Sequence, residues 1–498
     1  MAPDLKKFFF RIISNPVAFP LLAFFIPLVL RAIPEVLMGP YLVGFDTLAH
    51  YVPTTLRWLG EGVGFLNFVA VAPFLHVILV ATTYTGVPIV VSLKIISPLL
   101  LGLLGLAVYF YARKVLSWSP RKSLLVVLFG TLYFVALRVS WDMLRSELAL
   151  IFLFVTLLFL QKSNKPLRNG FLLSLAMLAV VFAHQLVALM MFFIVFLTLI
   201  RLGFDKQLGE IRRLVVFSIP ATILFFVIVY ANSVVYPEFS LVSGWLGQSS
   251  EGFMTLFGFG SYGAFVVDTL GFLVFCYLPL LPLVVMGFKR FAKNLQLKGW
   301  VLCIFIALSL AFTGVFIAHL PYRWILLLTY PLAFYAAEGF VGLKSNRHKM
   351  GFGLFLGVLS LCFILMPNNL ALPYFGVFPL YVPTSMLQNT VSLNDCQDTV
   401  KVLQWAKTNM PTESRLLVHR AFYGWACLSF DSDQLISYDY NNPEVVAQKL
   451  IENGFDYQLY LVWWVNGSGW YGQPNVPSAF GEPLHESGRL AIFTYTSD

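Results

Sequence analysis

The chain has 498 residues, 59% hydrophobic and 11% charged, with a mean hydropathy of +0.79 and a formal net charge of +9. A water-soluble domain rarely exceeds about half apolar, and apolar runs of membrane-spanning length recur here from Val17 to Met366, so a soluble globular protein is excluded. Residues 1–366 carry 27 Lys/Arg against 12 Asp/Glu while 367–498 carry 6 against 12, which reads as a membrane-orientation signal and not as a nucleic-acid footprint.

Lys6, Lys7 and Arg11 precede the first apolar run, and no small-residue cleavage site follows it, so 17–33 reads as an uncleaved first span. Further basic clusters lie at 113–122, 162–168, 201–213, 289–298 and 344–349. Together the six clusters hold 21 of the 33 Lys/Arg and are expected on the cytoplasmic side. That requirement fixes the parity of the crossings. It predicts eleven spans, at 17–33, 87–112, 123–138, 147–161, 169–184, 186–201, 213–231, 264–287, 299–317, 324–343 and 350–366. The N-terminus is then cytoplasmic and the tail extracytoplasmic. Residues 65–84, which contain Pro73 and His76, are expected to lie in or along the outer leaflet.

After Met366 the composition changes. A linker over 367–394 is punctuated by Pro and Asn. Residues 395–498 then alternate helix-like and strand-like patterns, with "DTVKVLQWAKTNMP" and "PEVVAQKLIENGF" as helices. "SRLLVHRAF", "QLISYD", "DYQLYLVWW" and "GRLAIFTYT" read as strands. The fold class is thus a polytopic α-helical membrane protein with a C-terminal extracytoplasmic α/β domain. Its domains are a membrane domain over 1–366, including a first outer loop at 34–86, the linker, and the outer domain. Cys396 and Cys427 are candidates for a disulfide, and Asn466-Gly467-Ser468 fits a glycosylation triplet.

The ionisable residues outside the basic clusters share one address on the outer face. Asp46, His50 and Arg57 follow the first span. Arg138, Asp142, Arg145 and Glu147 link the third and fourth. His184 and Gln185 sit at the top of the fifth, Glu251 in the loop 232–262, and His319 and Arg323 between the ninth and tenth. Charges at membrane depth are costly and usually functional. Bland readings compete with this one: Asp46 fits a helix N-cap, and the arginines fit interfacial anchors. Lys94, inside the second span, needs an anion, and a lipid phosphate would supply one. Carboxylates beside Arg and Lys at an outer interface suit group transfer from a lipid-linked phosphate donor, with a carboxylate as general base or metal ligand and the cations on the leaving phosphate.

"GFDTLAHY" after the first span and "RVSWDMLRSELALIFL" resemble the two acidic loops of membrane glycosyltransferases of the GT-C superfamily. "AHQLVAL" and "LPYRWILLLTYPLAFYAAEG" are similar to later segments of prokaryotic members. These include protein O-mannosyltransferases, aminoarabinose transferases and oligosaccharyltransferase catalytic subunits. The resemblance implies Asp46 as the catalytic carboxylate or metal ligand, and Asp142 with Glu147 as the second acidic position. It implies that Arg323 contacts the donor phosphate or orients the site, while position alone makes His50, Lys94, Arg138, Arg145, His184, Gln185 and His319 candidates for donor-phosphate or substrate binding. It further implies a hexosyl or pentosyl transferase in the cell membrane, moving a sugar from a polyprenyl-phosphate (dolichyl-type) donor to a lipid, glycan or protein acceptor. Mg or Mn at Asp46 and Asp142 stays an option for a cofactor. Oligosaccharyltransferases carry Trp-Trp-Asp-Tyr-Gly where this chain reads "VHRAFYGW". Transfer of a whole glycan to protein and a non-enzymatic transporter or flippase are the alternatives.

Overall fold

The computed structural model describes residues 18–161, 166–236, 262–290, 294–312, 321–365, 389–438, 442–465 and 479–495. His319, Glu251, the Asn466 triplet and most of the linker lie outside these residues. Helix α1 (Ala18–Leu37) is followed by a π-helical turn (Thr47–Tyr51) and three short helices, α2 (Val52–Gly60), α3 (Phe65–Ala70) and α4 (Phe74–Tyr84). Next come α5 (Ile89–Lys114), α6 (Pro120–Leu132), α7 (Phe134–Asp142) and α8 (Leu144–Phe159). Helices α9 (Pro166–Ala183), α10 (Gln185–Phe204) and α11 (Leu208–Val235) complete the first half. The second half holds α12 (Tyr262–Tyr277), α13 (Leu281–Arg290), α14 (Leu295–Ala311), α15 (Pro321–Leu327), α16 (Thr329–Val341) and α17 (Asn346–Leu365).

Seven of the described helical segments are long and apolar enough to cross a membrane: α1, α5, α9, α10, α11, α17, and α15 with α16 taken as one. Two further pairs reach that length only when joined across a bend, α6 with α7 at 59° and α12 with α13 at 77°. Among the described residues the count by length and composition is thus seven to nine. The other two of the eleven expected spans fall on α8 and α14, whose described helices have 16 and 17 residues. Segment 65–84 breaks at Ala72, whose φ is +50°. Its longer piece, the 11 residues of α4, rises about 16 Å, half a hydrocarbon core of about 30 Å. Large apolar side chains exposed along α1, α9, α11 and α17, such as Phe25, Phe171, Phe226 and Leu361, are the surface lipid would cover.

Local chemistry sets the helix ends. Ser119 accepts from the Lys122 amide and Pro120 occupies the first turn, which fixes the start of α6. Helix α9 passes into α10 through a single extended residue, His184.

The outer domain contains α18 (Cys396–Asn409), β1 (Arg415–His419), α19 (Arg420–Ala426), β2 (Leu435–Tyr438), α20 (Pro443–Glu452), β3 (Leu459–Trp464), β4 (His485–Ser487) and β5 (Leu490–Thr494). The sheet order is β2-β1-β3-β5-β4. Strand β1 runs parallel to β2 and β3, with Leu416 opposite Leu435 and Leu417 opposite Leu461, while β5 is antiparallel to both β3 and β4. The strand expected over "SRLLVHRAF" stops at His419, because the His419 ring accepts from the Ala421 amide and caps α19. Cys396 and Cys427 are free thiols.

Candidate active site

The first outer segment is pinned to the α7–α8 turn. Gly44 makes this possible: at φ +109° it adopts a backbone few side chains tolerate, and a Cβ there would run into the Trp141 carbonyl. Thr47 Oγ1 donates to that carbonyl at 3.4 Å, and Tyr51 OH donates to the Asp142 carbonyl at 2.7 Å. The Asp46 amide donates to Asp142 Oδ1 at 3.3 Å. Asp142 is buried and ion-paired with Arg138, one helical turn earlier. Asp46 makes no side-chain cap bond. Its carboxylate instead meets Arg323 Nη2 at 3.3 Å, with the two side chains 18% and 32% exposed. That degree of exposure leaves the pair open to a ligand.

Histidines and Arg145 surround this pair. Arg145 is close enough to Tyr51, Arg323, Asp46 and Tyr236 to interact electrostatically, and its buried Nε has no hydrogen-bond partner among the described residues. His50 is exposed at its surface, yet protein mass surrounds the ring. That loss of bulk water lowers its pKa below the ordinary value; Arg323, Arg145 and Arg420 lower it further, and Asp46 opposes them. His76 packs between the rings of Tyr51 and Trp58, at 5.9 and 5.2 Å. Burial, with Arg145, His50 and Arg57, lowers its pKa to about 3. His184 is buried with Nδ1 unpartnered and senses Arg145 and Arg323. Burial also raises the Tyr51 phenol well above its usual range, with Asp46 acting in the same direction, so its hydroxyl remains a donor.

The outer domain forms one wall. A Cβ at Gly424 would land on the Leu48 carbonyl of the π-helical turn, so α19 can seat there only through glycine. Arg420 of the same helix lies 6.0 Å from the Phe45 ring. Asn389 donates to the Leu42 carbonyl at 3.1 Å, and Ser432 hydrogen-bonds Glu61.

The structure thus brings together Asp46, His50, Arg138, Asp142, Arg145, His184 and Arg323. It places three of the expected residues elsewhere. Lys94 Nζ donates to the Glu35 carbonyl at 2.8 Å and lies 3.5 Å from its carboxylate. Glu147 is fully buried among Arg31 and Tyr330, and neither carboxylate oxygen has a partner. Gln185 holds the Ala70 carbonyl at 3.3 Å, which Asn232 also holds at 3.2 Å. Arg57 is exposed on α2. Sequence reasoning missed Tyr51, His76, Tyr236 and Arg420 as neighbours of the site. The "HYVP" spacing that puts Tyr51 next to His50 was the one available signal.

Among the described residues no three His, Cys, Asp or Glu converge on one point, and Asp46 and Asp142 each face a guanidinium.

No protein family matches the chain by sequence, and no curated protein matches it. Among solved structures, ArnT from Cupriavidus metallidurans bound to undecaprenyl phosphate aligns with a TM-score of 0.52 at 14% identity, over 96% of this chain and 97% of that one. The apo form of the same protein gives 0.52 at 14%, over 99% and 98%. The chain has the fold of ArnT. The similarity runs through both the helical part and the small sheet domain.

Proposed function

We propose that the protein is an integral membrane glycosyltransferase that moves one hexosyl or pentosyl unit from a polyprenyl-phosphate donor to a lipid, glycan or protein acceptor. The reaction takes place on the extracytoplasmic face, with the N-terminus cytoplasmic and the outer domain outside. The observation that carries this reading is the half-open Asp46–Arg323 pair, fixed from behind by Asp142 and Arg138, within a fold whose solved neighbour holds undecaprenyl phosphate.

The chemistry follows from the residues. An acceptor hydroxyl attacks the anomeric carbon as the bond from that carbon to the phosphate oxygen breaks. The polyprenyl phosphate leaves with the bonding electrons, and Asp46 takes the acceptor proton. A positioned general base of this kind contributes about 10²–10⁴-fold. Arg323 and Arg145 stabilise the negative charge that grows on the leaving phosphate, an effect worth about 10²–10³-fold per donor in a dry site. His50 is held neutral and supplies a hydrogen bond without adding charge. Asp142 and Arg138 orient the Asp46 backbone.

The test is carrier-phosphate release by the purified protein in nanodiscs, using undecaprenyl-phosphate hexoses and pentoses with membrane extract as acceptor. Wild type should release undecaprenyl phosphate, with or without EDTA. Asp46→Asn should lose about 10³-fold while keeping its melting temperature. Undiminished release by Asp46→Asn would remove Asp46 from its role.

A further inference from the structure

A second charged cluster lies in the membrane domain, against the back of the same turn. Arg31, on α1, is fully buried. Its Nη1 meets Glu35 Oε1 at 2.8 Å, its Nε donates to the Ser140 carbonyl at 3.2 Å, and its guanidinium carbon lies 5.2 Å from the centroid of the Trp141 ring. Lys94, from α5, closes the other side of Glu35. Arg31 also senses Glu147, four residues beyond Met143, and its buried Nη2 has no hydrogen-bond partner among the described residues. One side chain therefore bonds the start of the Ser140–Glu147 segment, covers the ring at its second residue and electrostatically reaches its end.

That segment carries Asp142 and Arg145. The polar contacts of residues 46–51 fall on two adjacent residues of that segment: Thr47 on the Trp141 carbonyl, Tyr51 on the Asp142 carbonyl, and the Asp46 amide on the Asp142 carboxylate. The turn is thus shared between Arg31 on one set of atoms and the Asp46 segment on another. A buried ion pair is weak evidence for stability, since desolvation offsets its Coulomb gain. Ionisable side chains within spans are also rare unless they serve a function.

We propose that Arg31 is a positioning residue for group transfer: it sets the α7–α8 turn, and through that turn the place of the Asp46 carboxylate. The proposal rests on the glycosyltransferase reading for its kinetic readout alone. A misplacement of about 1 Å at a reacting group costs about 100-fold, so the effect should fall on kcat and leave KM nearly unchanged. Arg31 itself touches no substrate.

The experiment compares wild type, Arg31→Lys, Arg31→Met and the charge-free pair Arg31→Met with Glu35→Met, all full length in nanodiscs. In Arg31→Met, Glu35 keeps Lys94 as its counter-ion, whereas the double variant removes both members of the pair and leaves Lys94 on the residue-35 carbonyl, so the two variants load the fold differently. Amide hydrogen exchange over 44–51 and 140–147 is measured beside release of undecaprenyl phosphate. The expected result is a loss of about 100-fold in kcat for the methionine variants, a smaller loss for Arg31→Lys, and KM within about twofold of wild type. Exchange should quicken in both segments, and no comparable change should appear in the outer-domain sheet. A folded methionine variant with wild-type exchange over 44–51, or with wild-type kcat, overturns the proposal. A wild type that releases no carrier phosphate from any sugar overturns the functional reading instead, and the exchange comparison then decides Arg31 by itself.

Discussion

Two acid–base clusters sit on either side of one turn, and they differ in a single respect. Asp46 and Arg323 are 18% and 32% exposed, whereas Arg31 and Glu35 are 0% and 6% exposed. Both pair a carboxylate with a guanidinium. Only the first can trade its partner for a ligand phosphate, because only there can the arriving anion replace the contact before it is lost. The second is sealed, so its energy can be expressed only as geometry. Burial, more than residue type, separates a group that reacts from a group that holds.

The sharpest way to break this contrast is Arg323→Gln. If the open pair serves the leaving phosphate, carrier release should fall about 100-fold with little change in melting temperature. A variant that is mainly destabilised would make Arg323 as structural as Arg31. The wall of the open cluster offers the next test. Gly424→Ala forces a Cβ onto the Leu48 carbonyl, so α19 or the π-helical turn must shift. Carrier release should fall about tenfold or more while the circular dichroism of the sheet domain is retained, since tenths of an ångström already matter at a reacting group. Unchanged release would detach the outer domain from the site.

Lys94→Met probes the sealed side. The sequence suggested a phosphate ligand there, but the lysine is spent on Glu35. Loss of a charged hydrogen bond should cost about 2 kcal/mol, read as a lower melting temperature, with donor KM within about twofold of wild type. A raised KM in a stable variant would return Lys94 to the donor site.

The smallest effect expected is in pH. His76 has a folded pKa of about 3 against an ordinary 6.5. The unfolded chain therefore takes its proton first. The contribution of His76 is complete above pH 6.5 and drains away as pH falls toward 3, at about 1.4 kcal/mol per pH unit. His76→Asn should flatten that part of the stability curve. An unaltered slope between pH 6 and 4 would show that other groups set it.

Much of this arrangement was legible before any coordinates. Repeated apolar runs fixed the membrane class, and the expense of charge near lipid flagged 43–59 and 138–147. The alternation of tail residues gave four of the five strands, but β4, three residues long, has too little pattern to register. Other features were illegible for physical reasons. Arg31 and Glu35 are only two charges in an otherwise apolar 20-residue helix, and residue type alone does not show that they pair one helical turn apart. The bends at Tyr133 and near Leu280 leave each half-helix apolar, so nothing in the composition distinguishes a broken span from a straight one. That α1 brings the Glu35 carboxylate to within 3.5 Å of Lys94 is likewise a tertiary fact with no mark in the local sequence. Asp46 looks like a helix cap by residue type, and only Arg323, 277 positions away, shows what its side chain does.

The π-helical turn at Thr47–Tyr51 carries a consequence for how this loop tolerates length change. A π turn holds one residue more than an α turn, and such bulges concentrate at working sites. Removing one residue, Ala49 for instance, would let the segment relax into an ordinary α-helix. Because a π turn takes up its extra residue within a single turn, the residues on its N-terminal side would keep roughly their phase against α2, and Asp46 would still face Arg323. What would be lost is the widened turn itself, and with it the place of the Leu48 carbonyl against which Gly424 seats. The extra residue acts as slack: a single codon deletion should leave the carboxylate opposite its arginine and show instead in how α19 docks.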